Sequence, residues 1–174
     1  LTVARLFVII MADDMHVIQE PLNNKKQSID KIFYLASRYA SDLDSIYVNG
    51  SNGLTNLSSL TLEEYFDVVR KMPYQRDEEP IEIVARPKII FERYLNGTGR
   101  DCKKAAVIIG AYCNKNGIPW RVAVVSTRPD KKIHHIFPQA DLNGNGQYVN
   151  LDATYSNMRI AQPKDVTKVE YYRP

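Results

Sequence analysis

The sequence predicts an α+β fold: N-terminal helices packed with an antiparallel β-sheet, around a central buried helix that carries a candidate nucleophile. Three observations lead there. Segments of helical period come first and short β-rich segments follow after Pro119, an order that suits an antiparallel sheet better than alternating βαβ units. The run Ala105-Ala106-Val107-Ile108-Ile109, continued by Ala111 and Cys113, is apolar nearly all round, as a helix covered on most sides must be. A chain of 174 residues, 44% hydrophobic and 25% charged, is long enough to bury such a helix in one globular unit.

The elements follow in order. Leu6 to Ile10 is a short apolar run that reads as an edge strand, with Met11 as an alternative start; one basic residue before it and no small-residue cleavage site make a poor signal peptide. Residues 28–43 place Ile29, Ile32, Phe33, Ala36, Tyr39, Ala40 and Leu43 at helical spacing. Asn49-Gly50-Ser51-Asn52-Gly53 is a loop by composition. Thr61-Leu62-Glu63-Glu64 is a capping box opening a helix that Pro73 ends. Pro87 suits the first turn of a third helix, stopped by Asn96-Gly97-Thr98-Gly99. The buried helix spans residues 101–116, with Gly117 as its C-terminal cap and Pro119 beyond. Residues 121–127, 133–138 and 147–152 then read as strands between turns, and residues 166–172 as another. Residues 1–60 are expected to form an N-terminal helical extension of the same compact unit, and residues 61–174 the domain that carries the chemistry.

Composition excludes several classes of function. A formal charge of +3, dispersed along the chain, argues against nucleic acid; Asp77-Glu78-Glu79 and Lys25-Lys26, Lys103-Lys104 and Lys131-Lys132 read as solvated faces. No stretch reaches the roughly 18 apolar residues of a membrane span. Cys102 and Cys113, on one helix, would stand about 16 Å apart at 1.5 Å per residue. A disulfide needs less than about 7 Å, so free thiols are expected, which favours a reducing compartment.

Cys102 follows a Gly-x-Gly turn at the N-terminus of the buried helix, where the helix dipole and free N–H groups favour a thiolate and are placed to stabilise an oxyanion. A cysteine nucleophile needs a base. Of the three histidines, His16 lies in the N-terminal segment, while His134 and His135 are adjacent in a strand. Alternation puts Ile133, His135 and Phe137 on one face and His134 and Ile136 on the other, without saying which face meets Cys102. Asp152, after the turn Asn143-Gly144-Asn145-Gly146, would come beside the histidine pair in a hairpin and could accept the second imidazole N–H.

The run GTGRDCKKAAVIIGAYCNKNGIPWRV resembles the core motif of the transglutaminase-like cysteine peptidases: a Gly-x-Gly-x-Cys or Gly-Asp-Cys entry, an apolar helix, then Gly-Ile-Pro and a basic residue opening a strand. His135-Ile136-Phe137 is similar to that family's His-aliphatic-aromatic strand, and Leu151-Asp152-Ala153-Thr154 to its Asp-x-Thr strand end. The resemblance covers about residues 61–155. It implies a papain-like fold, Cys102 as nucleophile, His135 rather than His134 as base, and Asp152 as the orienting carboxylate. Lys103-Lys104 and Trp120 depart from residues common in that family, and Tyr74 matches loosely where relatives carry an aromatic.

The resemblance further implies acyl transfer on an amide or peptide bond through a thioester, with no cofactor or metal. Hydrolysis, as in a protease or amidase, is expected over crosslinking by a transglutaminase; a non-catalytic binding or structural module is the alternative on the same fold. The expected partner is a protein or peptide, cell-wall peptide included. Compact relatives occur among phage and bacterial proteins, so a cytoplasmic or virion-associated place is favoured over secretion. One motif competes for Asp152. Asp141-Leu142-Asn143-Gly144-Asn145-Gly146, with Asp152 at the twelfth position, imitates a calcium loop, but strand-like flanks and Asp in place of Glu make a polar β-turn the better reading.

Overall fold

The computed structural model describes residues 8–10, 24–50, 53–77 and 84–174; His16, Glu78 and Glu79 lie outside them. The fold is α+β, with two antiparallel sheets and four α-helices among the described residues. β1 (Val8–Ile10), β2 (Ile46–Gly50) and β3 (Gly53–Asn56) form one sheet in the order β1-β2-β3. β4 (Trp120–Ser126), β5 (His135–Ala140), β6 (Val149–Asn150) and β7 (Lys168–Tyr172) form the other, in the order β6-β5-β4-β7. Among the described residues, no helix is long and apolar enough to cross a membrane.

The expected helix over residues 28–43 is two elements. α1 (Lys25–Arg38) starts earlier because Asn24 caps it, its side chain accepting the Gln27 N–H at 3.0 Å. At Tyr39 the chain tightens into a 3₁₀ segment, Ala40–Ser45. In this segment Asp42 is buried and serves α3 (Pro87–Leu95): its carboxylate accepts the Lys88 N–H at 3.1 Å and grips Arg86 in two hydrogen bonds, one of them Nε to Oδ2 at 2.8 Å. Arg86 offers α3 no side-chain cap of its own, so Asp42 satisfies that helix end from across the fold.

The segment expected to be a loop around residues 49–53 closes a hairpin. Tyr47, Val48 and Asn49 pair with Asn56, Thr55 and Leu54, and Gly50 pairs with Gly53, whose φ of +101° suits glycine. The described residues before position 61 are therefore mixed in structure: beside α1 and the 3₁₀ segments they form a three-stranded sheet, of which the sequence suggested only an edge strand within residues 6–10.

α2 (Leu62–Lys71) opens with the expected capping box: the Glu64 N–H donates to Thr61 Oγ1 and the Thr61 N–H to Glu64 Oε2 at 2.9 Å. Its buried face meets α4 (Cys102–Lys115), where Tyr65 and Tyr112 stack with centroids 4.4 Å apart. Each phenol donates at 2.7 Å to a carbonyl of the other segment, Tyr65 to Ile108 and Tyr112 to Leu60, so two rings enter the core without an unsatisfied hydroxyl. α4 is buried from Lys104 through Cys113, as its all-round apolar sequence requires.

Trp120, first residue of β4, explains the glycine within α4. Its six-membered ring lies against Gly110, where a Cβ would sit 2.4 Å from Cη2. The indole is held there by Phe33 (centroids 5.0 Å) and by its N–H donating to Asn114 Oδ1 at 2.9 Å. The strand expected over residues 147–152 shortens to Val149–Asn150. Leu151 N–H still donates to the Pro138 carbonyl at 2.9 Å, but Pro138 has no N–H to return and the ladder ends.

Candidate functional site

Cys102 is the first residue of α4, and Asp101 is its N-cap, accepting the Lys104 N–H at 2.9 Å. Two constraints fix this entry. Gly99 passes so close to the 73–75 segment that a Cβ would stand 2.6 Å from the Pro73 carbonyl oxygen, and its N–H donates to Gln75 Oε1 at 2.7 Å. Arg100 follows, wholly buried: Nε and Nη2 donate to the Val69 carbonyl at 3.2 and 3.1 Å, and Nη2 also to the carbonyl of Ala153. This guanidinium joins the Met72 N–H on the Val69 carbonyl at the end of α2, and ties the residue after Asp152 to the residues before Cys102. Burial pulls it down to about 10, against the pull of Asp152 and Asp101.

β5 brings His135 to the same place. His135 and Phe137 share a face, with ring centroids 5.6 Å apart, as alternation requires. His135 Nε2 hydrogen-bonds Asp152 Oδ2 at 3.0 Å and lies 3.3 Å from Thr154 Oγ1. The Asp152 carboxylate is itself held. Oδ1 accepts the Thr154 N–H at 3.1 Å and the Thr154 hydroxyl, and Oδ2 also receives Lys164 Nζ. Burial pushes this acid up, but the His135, Lys164 and Thr154 contacts outweigh it and hold Asp152 well below the usual carboxylate range. An ionised Asp152 can only accept, so the hydrogen bond between them is donated by His135 Nε2–H, and Nδ1 is the ring nitrogen left outside it. His134 points elsewhere: Nδ1 bonds the Lys132 carbonyl and Nε2 the Thr127 hydroxyl, each at 3.1 Å.

Cys102, His134, His135 and Ile136 line one cleft of about 490 Å³, whose other wall is the first turn of α1, with Lys25 and Ile29. The Ile136 backbone N–H is aimed at the Cys102 sulfur. The structure thus gathers Cys102, His135 and Asp152 at one locus, two of them on the cleft wall and the third behind His135.

The electrostatics of Cys102 differ from the expectation of a helix terminus lowering its pKa. Burial pushes the thiol up and Asp101 adds to this; the Ile136 N–H, Lys103 and its own N–H pull the other way without prevailing. Lys104 does not help as a free cation, because it is buried and bonded to Asp77, with Asp101 3.7 Å away. Cys113 is fully buried, its thiol pushed up to about 12 by desolvation, and both cysteines are free. In the calcium-like loop, Asp141 accepts N–H groups from Asn143, Asn145 and Gly146 at 3.3, 3.1 and 2.7 Å, a self-contained turn, while Asp152 faces His135.

Sequence reasoning missed Lys164 and Arg100. Arg100 stands inside the run before Cys102 without a role assigned to it, Lys164 lies outside the motifs, and their contacts reach 53 and 12 residues along the chain; a lone Lys after Pro163 carries no local signal. Comparison of the chain with protein-family models, with curated proteins and with solved structures returned no match.

Proposed function

We propose that this chain is a cysteine-dependent acyl-transfer enzyme on a transglutaminase-like, papain-related fold, acting on amide or peptide bonds by hydrolysis. The observation that carries the reading is the His135 Nε2–Asp152 hydrogen bond of 3.0 Å beside a cleft that Cys102 enters from a helix N-terminus. Burial keeps the resting thiol protonated, so attack begins as its proton passes to His135 Nδ1 and Asp152 stabilises the imidazolium. Sulfur adds to the substrate carbonyl, and the oxyanion is stabilised by the Cys102 N–H at the start of α4. The imidazolium then protonates the departing amine as the C–N bond breaks, leaving a thioester. Water, deprotonated by His135, adds to the thioester; the acid product leaves and the Cys102 sulfur recovers its proton. An amine in place of water would give a crosslink. Phage or bacterial peptides, including those of the cell wall, are the first substrates to try.

The raised Cys102 thiol favours one other reading, a binding module that keeps the fold and an unreactive cysteine. Iodoacetamide labelling between about pH 5 and pH 9, with the site located by mass spectrometry, separates the two. Cys113 serves as the buried, unreactive control. Catalysis requires Cys102 labelling that outpaces Cys113 and drops in His135→Ala. Slow labelling that ignores His135 would sink the enzymatic reading and leave the module.

A further inference from the structure

The charge on Asp152 is divided. Oδ2, the oxygen that His135 Nε2 contacts at 3.0 Å, also takes Lys164 Nζ, whose side chain is only 19% exposed. Lys164 is delivered there by a stapled loop. Asn150 accepts the Ala161 N–H at 2.9 Å through its carbonyl, donates from its side chain to the Gln162 carbonyl at 2.9 Å, and is held to β5 by Gln139 at 2.7 Å. Ala161 takes a φ of +60° to make the turn. The ammonium then lies 5.3 Å from the Phe137 ring centroid, the same ring that flanks His135. The backbone just before Lys164 is thus stapled to Asn150, and its ammonium is held by the carboxylate.

We propose that Lys164 is a charge-regulating residue of the site: by sharing the carboxylate oxygen that His135 uses, it weakens the hold of Asp152 on the imidazolium and keeps His135 in its neutral, proton-accepting form. The inference rests on His135 being the base of the proposed reaction. The other charged or titratable groups around His135 are Cys102 and Lys103 from α4, Lys25 from α1, and His134. Arg100 stands behind the Ala153 carbonyl. Of the described cations, Lys164 is the one that shares the His135 partner atom.

The test is an NMR titration of the full chain, with the His135 ring signal identified among three histidines by its loss in His135→Gln. In Lys164→Met the His135 midpoint should rise by about one pH unit, because a like charge is removed and Asp152 serves the imidazolium alone. Lys164→Gln, which keeps a donor toward Asp152 without the charge, should show the same rise even if Met loosens the loop. Lys164→Arg should stay near the native midpoint. An unchanged midpoint in the Met and Gln variants, or an equal rise in the Arg variant, would overturn the proposal. Cys102 labelling in His135→Ala tests the base assignment separately: labelling indifferent to His135 removes the base and leaves the Lys164 titration effect to stand or fall by itself.

Discussion

Gly110→Ala should destabilise this protein, although alanine ordinarily improves a helix interior by about 1 kcal/mol over glycine. The new methyl carbon would lie 2.4, 2.6 and 2.8 Å from three carbons of the Trp120 ring, where ordinary contact begins near 3.4 Å. The ring must retreat by roughly an ångström, and Phe33 and the Asn114 hydrogen bond hold it from the other side. Overpacking of this kind costs about 1–3 kcal/mol, and loss of the indole hydrogen bond would add about 0.5–1.5 kcal/mol. Less the propensity gain, the net loss is about 0.5–3.5 kcal/mol, a Tm fall of roughly 1–14 °C for a chain of this size. Urea denaturation of a double-mutant cycle checks the cause. In a Trp120→Val background, itself several kcal/mol less stable, the methyl group meets open space and Gly110→Ala should become neutral or stabilising by up to about 1 kcal/mol. A substitution of the same sign in both backgrounds would refute the argument that Trp120 is why position 110 is glycine.

Cys102→Ala should abolish turnover while leaving Tm within about 2 °C, and His135→Ala should abolish turnover where His134→Ala does not; amide hydrolysis assays on the three variants decide this. Asp152→Asn should lower turnover less than loss of Cys102, and should cost about 1–3 kcal/mol because Lys164 is left largely buried without its partner. Since the folded state holds Asp152 below its unfolded value, the stability it supplies is present above about pH 4 and is lost on further acidification. The Tm gap between native protein and Asp152→Asn should therefore narrow below that pH; a gap that is constant with pH would mean Asp152 acts only as a turn residue. Cys113→Ser should lose about 1–3 kcal/mol by burying a hydroxyl without a designed partner, with labelling at Cys102 unchanged in the folded fraction.

Elements whose signals are local were legible in the sequence. The Thr61 capping box, Pro87 at a helix start, the apolar run from Ala105 to Cys113 and the Gly117-Ile118-Pro119 exit each act within a few residues, and each lies where the pattern put it. Periodicity also separated the faces of His134 and His135, though not their partners. What misled was local too: residues 39–43 keep a helical pattern, yet Asp42 is claimed by Arg86 and Lys88 from another helix.

The sequence by itself determined the order of helices and strands from Thr61 onward, the helix terminus occupied by Cys102, and the face shared by His135 and Phe137, because hydrophobic period and capping are properties of neighbouring residues. Only the tertiary structure decided that Asp152 meets His135, that Lys164 shares that carboxylate, that Arg100 binds the loop behind it, and that burial outweighs the helix terminus at Cys102. Those are sums over groups distant in the chain, and a desolvation cost has no value until the atoms that exclude the water are in place.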